Sequence, residues 1–563
     1  MKNKLFVLTV IAAVVVVLNM SGFAQAVQYI QMRPLEEVIK TGVGSVKPGK
    51  EDKLPLITWG GDEATILANG NAIKTKPGSI FAQKGLNFQL VWMDDFKRQV
   101  EMFIRGDMWL LRGTMGMINM ASAVCAKDSR TEPVVIYQLT WSNGGDCLVV
   151  KKGINTVKDL KGKTVVLQAY GPHVDYLVKL LTDAGLTIND VNVKYVKDLT
   201  GTANSPTEAF YMNDVDAVFC IIPDGLALTE GDDSVPGAKI LMSTKTANRV
   251  ISDVYAVRKD FLLANRDKVQ NLVHGLMLAE QDLKKAVKGN TPLWKDVKTA
   301  AAKILLESPD ANDQAIADAE ALYYDCQFVG YRGNVKYFGD TNWPRSFSKM
   351  ADEIQTSFVA MGLLSRKVPL AHAKLSYDQM RAGLTGIDDV EAPRFRSDVV
   401  AKVIEKKAAL GTLEEGELFK FEINFKPNQK VFSTDAYSEE FSKVVELSST
   451  YGGAVISVEG HSDPHKINKL EKEGAAEFII KRTKQAAKNL SVSRALNVRD
   501  TVIKFAEANS VPLDKSQFTV IGHGVSQPLY PDPKTKEQWL SNMRVIFRII
   551  QIEAEEEAFE PLN

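Results

Sequence analysis

The chain has 563 residues, 45% hydrophobic and 25% charged, the composition of a globular protein long enough for three or four compact units. Lys+Arg and Asp+Glu both number 69, so the formal net charge is zero and the basic excess expected of a nucleic-acid binder is missing. The four cysteines, Cys125, Cys147, Cys220 and Cys326, form no CxxC pair, which argues against a zinc site of that type; they read as small buried residues, with one disulfide open in an oxidising compartment.

The N-terminus begins with Lys2 and Lys4, continues through the uncharged apolar run Leu5–Leu18, and reaches Ala24-Gln25-Ala26. This order predicts a secretory signal peptide over residues 1–26, cut after Ala26. The competing reading is an uncleaved anchor, because Leu5–Phe23 approaches the roughly 20 apolar residues that span a bilayer. Residues 27–53, with Gly42, Gly44, Pro48 and Gly49, read as a linker.

From residue 54 to 387, short β-rich runs alternate with amphipathic helices. Strands are expected at Leu54–Trp59, Asn87–Trp92, Lys163–Gln168 and Asp216–Ile222, and helices at Asp175–Ala184 and Arg266–Val287. That alternation predicts an α/β fold with largely parallel sheets. Residues 388–417 read as a connector containing Pro393, a charged helix from about Asp398 to Ala409, and Gly411. A further unit is expected over 418–552, and the glutamate-rich 553–563 as a solvated tail.

Within 418–552 the run Val455–Asp463 (VISVEGHSD) is a strand entering a polar turn. Leu490–Ala495 (LSVSRA) is read as opening a helix that continues through Val502 and Phe505. Phe518–Gly524 is a strand ending in glycines, Pro528 lies in a loop, and Asn542–Phe547 is the last strand. The series V-E-G-H-S-D, L-S-V-S-R-A, G-H-G-V-S-Q-P and N-M-R-V, preceded by Ile423-Asn424-Phe425 and Phe432, resembles the OmpA-like peptidoglycan-binding family over about 130 residues. The resemblance implies a separate α+β domain that holds the diaminopimelate of the peptide stem between Asp463 and Arg494. The chemistry suits that ligand: a carboxylate takes the ammonium, and a guanidinium clamps the carboxylate through two parallel hydrogen bonds. Ser462 and Ser491 are expected beside the site, Ser491 as a helix cap, with Arg544 as supporting structure. Two departures stand out. Ala487 occupies the place of the family's asparagine, and Asp463 and Arg494 are about twice as far apart as the family sets them. The extra segment, Pro464 to Lys488, is rich in Lys and Glu and reads as helical; it is either a surface insertion or a cover over the site.

Upstream, Ile57–Gly61, Phe103–Asp107 (FIRGD), Trp141–Asp146 (WSNGGD), Ile154–Lys163 (INTVKDLKGK) and Gly171-Pro172-His173 follow one another in the order found in type 2 periplasmic solute-binding proteins. The nitrate, sulfonate and taurine receptors of ABC transporters are the most similar group. The resemblance implies a two-lobed α/β periplasmic-binding-protein fold, with the second lobe at about 148–250 and a ligand cleft that closes by hinge motion. Cleft candidates are Trp59, Thr114, Ser142, Asn143, Gly171, His173 and Asp224, drawn from strand ends and helix starts, where free N–H groups favour anions. Three have a plainer reading: core packing for Trp59, a helix cap for His173, a turn at Pro223-Asp224-Gly225. The implied function is capture of a small anionic or zwitterionic solute in the periplasm by a wall-tethered receptor, with an ABC permease as candidate partner. The alternative is a wall-attached scaffold or sensor whose solute-binding fold no longer serves transport. Neither a G-x-S-x-G nor an H-E-x-x-H motif occurs, and the histidines and cysteines are scattered, so neither an enzyme nor a cofactor or metal is expected.

Overall fold

The computed structural model describes residues 27–46, 49–387, 395–411, 413, 417–426 and 437–551. The expected signal or anchor segment, Pro393, Phe432 and the acidic tail lie outside the described residues. Among the described residues no helix is long and apolar enough to cross a membrane.

The strands, in chain order, are β1 (Asp52–Leu56), β2 (Phe88–Trp92), β3 (Leu110–Thr114), β4 (Pro133–Ser142), β5 (Asp146–Val150), β6 (Thr164–Gln168), β7 (Asn192–Val196) and β8 (Ala217–Ile221). Then come β9 (Lys239–Ser243), β10 (Ser252–Arg258), β11 (Cys326–Phe328), β12 (Ala371–His372), β13 (Glu417–Asn424), β14 (Val455–His461), β15 (Phe518–Gly524) and β16 (Arg544–Ile550). β1 pairs with β2, and a second sheet runs β11-β4-β10-β3 with β12 beside β4. A third sheet runs β7-β6-β8-β5-β9, and the C-terminal sheet runs β13-β16-β14-β15.

The sheets are mixed rather than largely parallel as expected. β6 is parallel to β7 and β8, but β5 is antiparallel to both its neighbours. β10 is antiparallel to β3 and β4. The reason is the route of the chain: β4 leaves one sheet and returns as β5 in the next after only three residues, and β9 leads back to β10 over residues 244–251. These two crossovers divide the body into two α/β lobes. Every residue of β4, β5 and β10 is buried, as strands covered on both faces require.

The segment read as a linker is partly built into the body. Met32, Leu35 and Ile39 join the core that includes Phe103 and Ile118, and Arg258 Nη2 donates to the Gly44 carbonyl at 3.0 Å. The short helix Leu35–Val38 places apolar Leu35 and Ile39 one turn apart, an anchor too short for a periodicity search to detect.

In the C-terminal unit the Glu477–Ala508 helix crosses β14 and β15. It does not start at Leu490 as expected: eight of residues 477–489 are good helix formers and none is Gly or Pro, so the helix extends upstream through about half of the insertion. The rest of the insertion is the His465–Lys472 helix. Gly460 and Gly522 let the long helix approach. A Cβ on Gly460 would lie 2.0 Å from the Ser491 carbonyl oxygen, and one on Gly522 would lie 2.3 Å from Val492 Cγ2. The last strand begins at Arg544; Asn542, expected in it, ends the Lys536–Asn542 helix.

Candidate functional site

The two crossovers meet at Thr244. Its hydroxyl lies 2.7 Å from Ser142 Oγ and accepts from Gly144 N at 3.0 Å and Asp146 N at 3.1 Å, while Thr244 N donates to the Asp146 carbonyl at 2.8 Å. Ser142 Oγ also donates to Asp146 Oδ2 at 2.6 Å, and Asn143 N donates to the Asp325 carbonyl at 2.9 Å. Ser142 and Asn143, expected to line the cleft, thus belong to the joint between the lobes. His173, at the start of the Val174–Asp183 helix, brings Nε2 to 2.7 Å from Asp146 Oδ1 and is fully buried.

On the first lobe, Trp59 Nε1 donates to Thr140 Oγ1 at 2.9 Å, and Thr140 Oγ1 donates to Asp253 Oδ2 at 3.3 Å. Arg112, one strand away and fully buried, reaches Asp253 Oδ1 at 2.8 Å and Asp62 Oδ2 at 3.1 Å. Tyr255 OH donates to Asp62 Oδ1 at 3.2 Å. Burial pushes the Asp253 carboxyl up to about 6, against the pull of Arg112. Thr114 caps the Met115–Cys125 helix by accepting from Met117 N and pairs in register with Asp253.

Gly145 lies in the first crossover, packed against Trp59 and Asp325. A Cβ there would lie 2.6 Å from the Trp59 ring and 3.0 Å from Asp325 Cβ. Asp325 is half-buried, and desolvation together with the charge of Asp146 pushes its carboxyl up to about 7. Aromatic ring, carboxylate and lobe joint therefore adjoin at one place.

Two candidates fall elsewhere or act differently. Gly171 is buried, but a Cβ would meet Gln168 Oε1 at 2.2 Å, so its role is close packing. Asp224 lies in a helix, Ile222–Thr229, not in a turn; Pro223 occupies the first turn, where a missing N–H costs nothing, and Asp224 Oδ2 accepts from Thr207 Oγ1 at 2.8 Å. A separate cleft of about 340 Å³, between Thr156–Lys158 and β13, holds none of the expected residues.

In the C-terminal unit, Asp463 Oδ1 accepts from His465 N and Oδ2 from Asn542 Nδ2, both at 2.9 Å. Arg494 is fully buried, stacks over Phe425 at 5.2 Å and donates from Nη1 to the His461 carbonyl at 3.4 Å. Asp463 follows the last residue of β14, His461, by two positions, and Arg494 bonds the His461 carbonyl. Desolvation brings the Arg494 guanidinium down to about 10. Ser491 does not cap a helix. It sits mid-helix, accepts from Gly524 N at 3.0 Å and donates to the Lys488 carbonyl at 2.7 Å, because the helix begins fourteen residues earlier. Ser462 is buried and donates to the Ala487 carbonyl at 3.0 Å, pinning the helix to the strand.

Arg112, Asp146, Thr244 and Asp325 were not singled out from the sequence. Asp146 was visible within the quoted WSNGGD run; the other three lie far along the chain from their partners, and no local pattern marks them.

Two α/β lobes joined by paired crossovers give the chain a mixed α/β architecture. Residues 80–284 match the family model described as NMT1/THI5 like. Among solved structures, the alkanesulfonate-binding protein of Xanthomonas axonopodis pv. citri bound to MOPS shares 15% identity, with 57% of this chain and 97% of that chain covered and a TM-score of 0.39. The periplasmic aliphatic sulphonate binding protein of Escherichia coli shares 17%, covering 57% and 96%, with a TM-score of 0.41. A Candida albicans protein that defines a family with the generic periplasmic binding protein fold shares 14%, covering 58% and 99%, with a TM-score of 0.40. No curated protein matches the chain.

Proposed function

We propose that the protein is the solute receptor of an ABC-type uptake system, held at the cell wall by its C-terminal unit, residues 418–552. The solute reading rests on Asp325, pushed up to about 7 by burial and by Asp146, beside Trp59 at the lobe joint. A carboxylate with an aromatic ring next to it suits an ammonium group. Arg112 is paired with both Asp62 and Asp253, leaving only Nη2 without a partner, so the trio offers a plain anion no net positive charge. Within the class of small anionic or zwitterionic solutes, an amine-bearing sulfonate or similar zwitterion fits best. A ligand that binds only the folded state raises the melting temperature with concentration. Taurine-like aminosulfonates are expected to do so, alkanesulfonates without an amine less, and Asp325→Asn to abolish the difference. Equal responses to both, or none, would overturn the assignment.

The wall reading rests on Asp463 and Arg494 at one end of β14, within the motif order set out above. Wild type is expected to pellet with purified peptidoglycan sacculi, and Asp463→Ala and Arg494→Lys to stay soluble while keeping the wild-type circular dichroism spectrum. If wild type stays soluble, the C-terminal unit is a protein-interaction module. One observation favours a second reading, a wall-attached scaffold: Trp59, Thr114, Ser142 and His173 are all buried, and each bonds a partner within the chain, with only His173 Nδ1 left unpaired. A metabolite screen in which no solute shifts the melting temperature would select it.

A further inference from the structure

The motif strand β14 and its parallel neighbour β15 carry a side-chain cluster that the proposed function does not use. Alternation along a strand sends Gly460 toward the Glu477–Ala508 helix and Glu459 and His461 to the opposite face. On β15, Gly522 and Gly524 face the helix, so His523 projects to that same opposite face. Glu459, His461 and His523 thus converge, with one ligand atom from each lying within 4.8 Å of the others. His523 Nε2 is 3.5 Å from Glu459 Oε2, and the two imidazoles stack at 4.8 Å.

Three features distinguish this cluster from a packed polar core. Glu459 and His461 are each 1% exposed. Both ring nitrogens of His461 and Nε2 of His523 are buried without a hydrogen bond, whereas buried polar atoms are normally paired. The Gln527 carbonyl faces His461 and is shared with Arg544 Nη2, which donates to it at 3.4 Å. The spacing also fits a metal: ligand bonds of about 2.0–2.2 Å in a tetrahedron set ligand atoms roughly 3.4 Å apart. The His523–Glu459 separation already matches that edge.

Charge permits it. Arg548 and Arg544 lie nearby, but Arg548 is paired with Glu417 and Glu459, and Arg544 faces Glu422 at 3.8 Å. Lys420 also reaches His461 with its charge, so the three carboxylates Glu417, Glu422 and Glu459 face three cations and the pocket carries no net positive charge to repel a metal. Glu459 Oε1 is taken by Arg548 Nε at 2.9 Å and Ser457 Oγ at 2.6 Å, an orientation that leaves Oε2 toward His523.

We propose that Glu459, His461 and His523 form a site for a borderline divalent transition metal of the zinc class. Two imidazoles and one carboxylate supply three ligands, and the fourth position stays open. The outer partners, Arg548 and Ser457, fix the carboxylate as such ligands are usually fixed.

The test uses the tag-free full-length chain, stripped with EDTA and dialysed against ZnCl2. One equivalent of zinc per chain is expected, with a melting temperature that rises with ZnCl2 concentration, and Co2+ in its place is expected to give the visible bands of a low-coordinate site. Since losing an outer-sphere partner alone weakens metal sites about 10–100-fold, His523→Gln is expected to raise the zinc Kd at least about 100-fold. His465→Ala, outside the cluster, keeps full binding. Far-UV circular dichroism in EDTA establishes that His523→Gln folds; if it does not, His461→Gln takes its place. Absence of a stoichiometric equivalent in wild type, or its retention in a folded cluster variant, would overturn the site.

Discussion

Arg112 holds two carboxylates of the first lobe together. It is fully buried between Asp62 and Asp253, and removing one member of a buried ion pair leaves uncompensated charge. Breaking such a pair typically costs about 3–5 kcal/mol. Arg112→Met is therefore expected to lower the denaturation midpoint by a shift of that order, and Arg112→Met with Asp253→Asn to recover part of it; urea unfolding followed by tryptophan fluorescence reads both. A second residue carries a pH signature. Burial, the leading cause, pushes the Asp175 carboxyl up to about 7, helped by Glu353 and Asp253 and opposed by Arg345. A carboxyl raised in the folded state binds its proton more tightly folded than unfolded. Its contribution is full below about pH 4 and is lost as pH rises through about 7. Wild type should therefore lose stability between pH 5 and pH 8 relative to Asp175→Asn, by about 2–4 kcal/mol. A variant with the same slope as wild type would show that Asp175 is not the group responsible. Neither residue was legible beforehand. A charged residue inside a strand looks like a solvated face until the fold covers both sides, as it does for Arg112 in β3.

At the scale of elements, the V-E-G-H run divides its work by parity. The glycine makes room for a helix on one face while Glu and His fill the other. A methyl on Gly460 meets the backbone carbonyl of Ser491, which cannot rotate away, so Gly460→Ala forces the helix off the sheet. Overpacking of this kind costs about 1–3 kcal/mol or more. Gly42→Ala, where a Cβ meets nothing within 4 Å, is the matched control and should be close to neutral. Differential scanning calorimetry separates the two. Strand and helix positions were readable because their periods are strong: β6, β8 and the Arg266–Lys288 helix fall within a residue or so of where alternation and apolar spacing place them. The long helix was missed at its start because a motif boundary is not a physical one, and good helix formers carry a helix past it. Strand direction was missed too, since no residue pattern records whether a crossover of three residues reverses the chain into a new sheet.

For the whole molecule, the C-terminal unit does not hang free: it docks on the second lobe and on the crossover that returns the chain to the first. Lys179 Nζ lies 3.1 Å from Asp183, 2.9 Å from Glu353 and 3.0 Å from Glu446 of the C-terminal unit. Against the upward push of burial, Arg345 and Lys179 hold Glu353 down to about 2. Tyr451 OH donates to Asp183 Oδ2 at 2.9 Å. Arg249 N donates to the Thr450 carbonyl at 3.2 Å and Gly453 N to the Thr246 carbonyl at 3.1 Å, so residues 450–453 grip the 244–251 crossover. If the lobes close on a solute as proposed, that crossover bends, and the grip would tie the bend to the position of the C-terminal unit. The contact is steric as well as polar, because a Cβ on Gly453 would lie 1.8 Å from the Lys245 carbonyl oxygen. Gly453→Val, with Tyr451→Phe to remove the hydrogen bond, should separate the docked surfaces while each unit keeps its own core. The expected result is a larger radius of gyration by small-angle scattering and faster protease cleavage between residues 388 and 417, with the far-UV spectrum unchanged. A radius of gyration equal to wild type would mean that the buried Lys179 network holds the units together without the 450–453 grip, and Lys179→Met would then be the substitution that releases them.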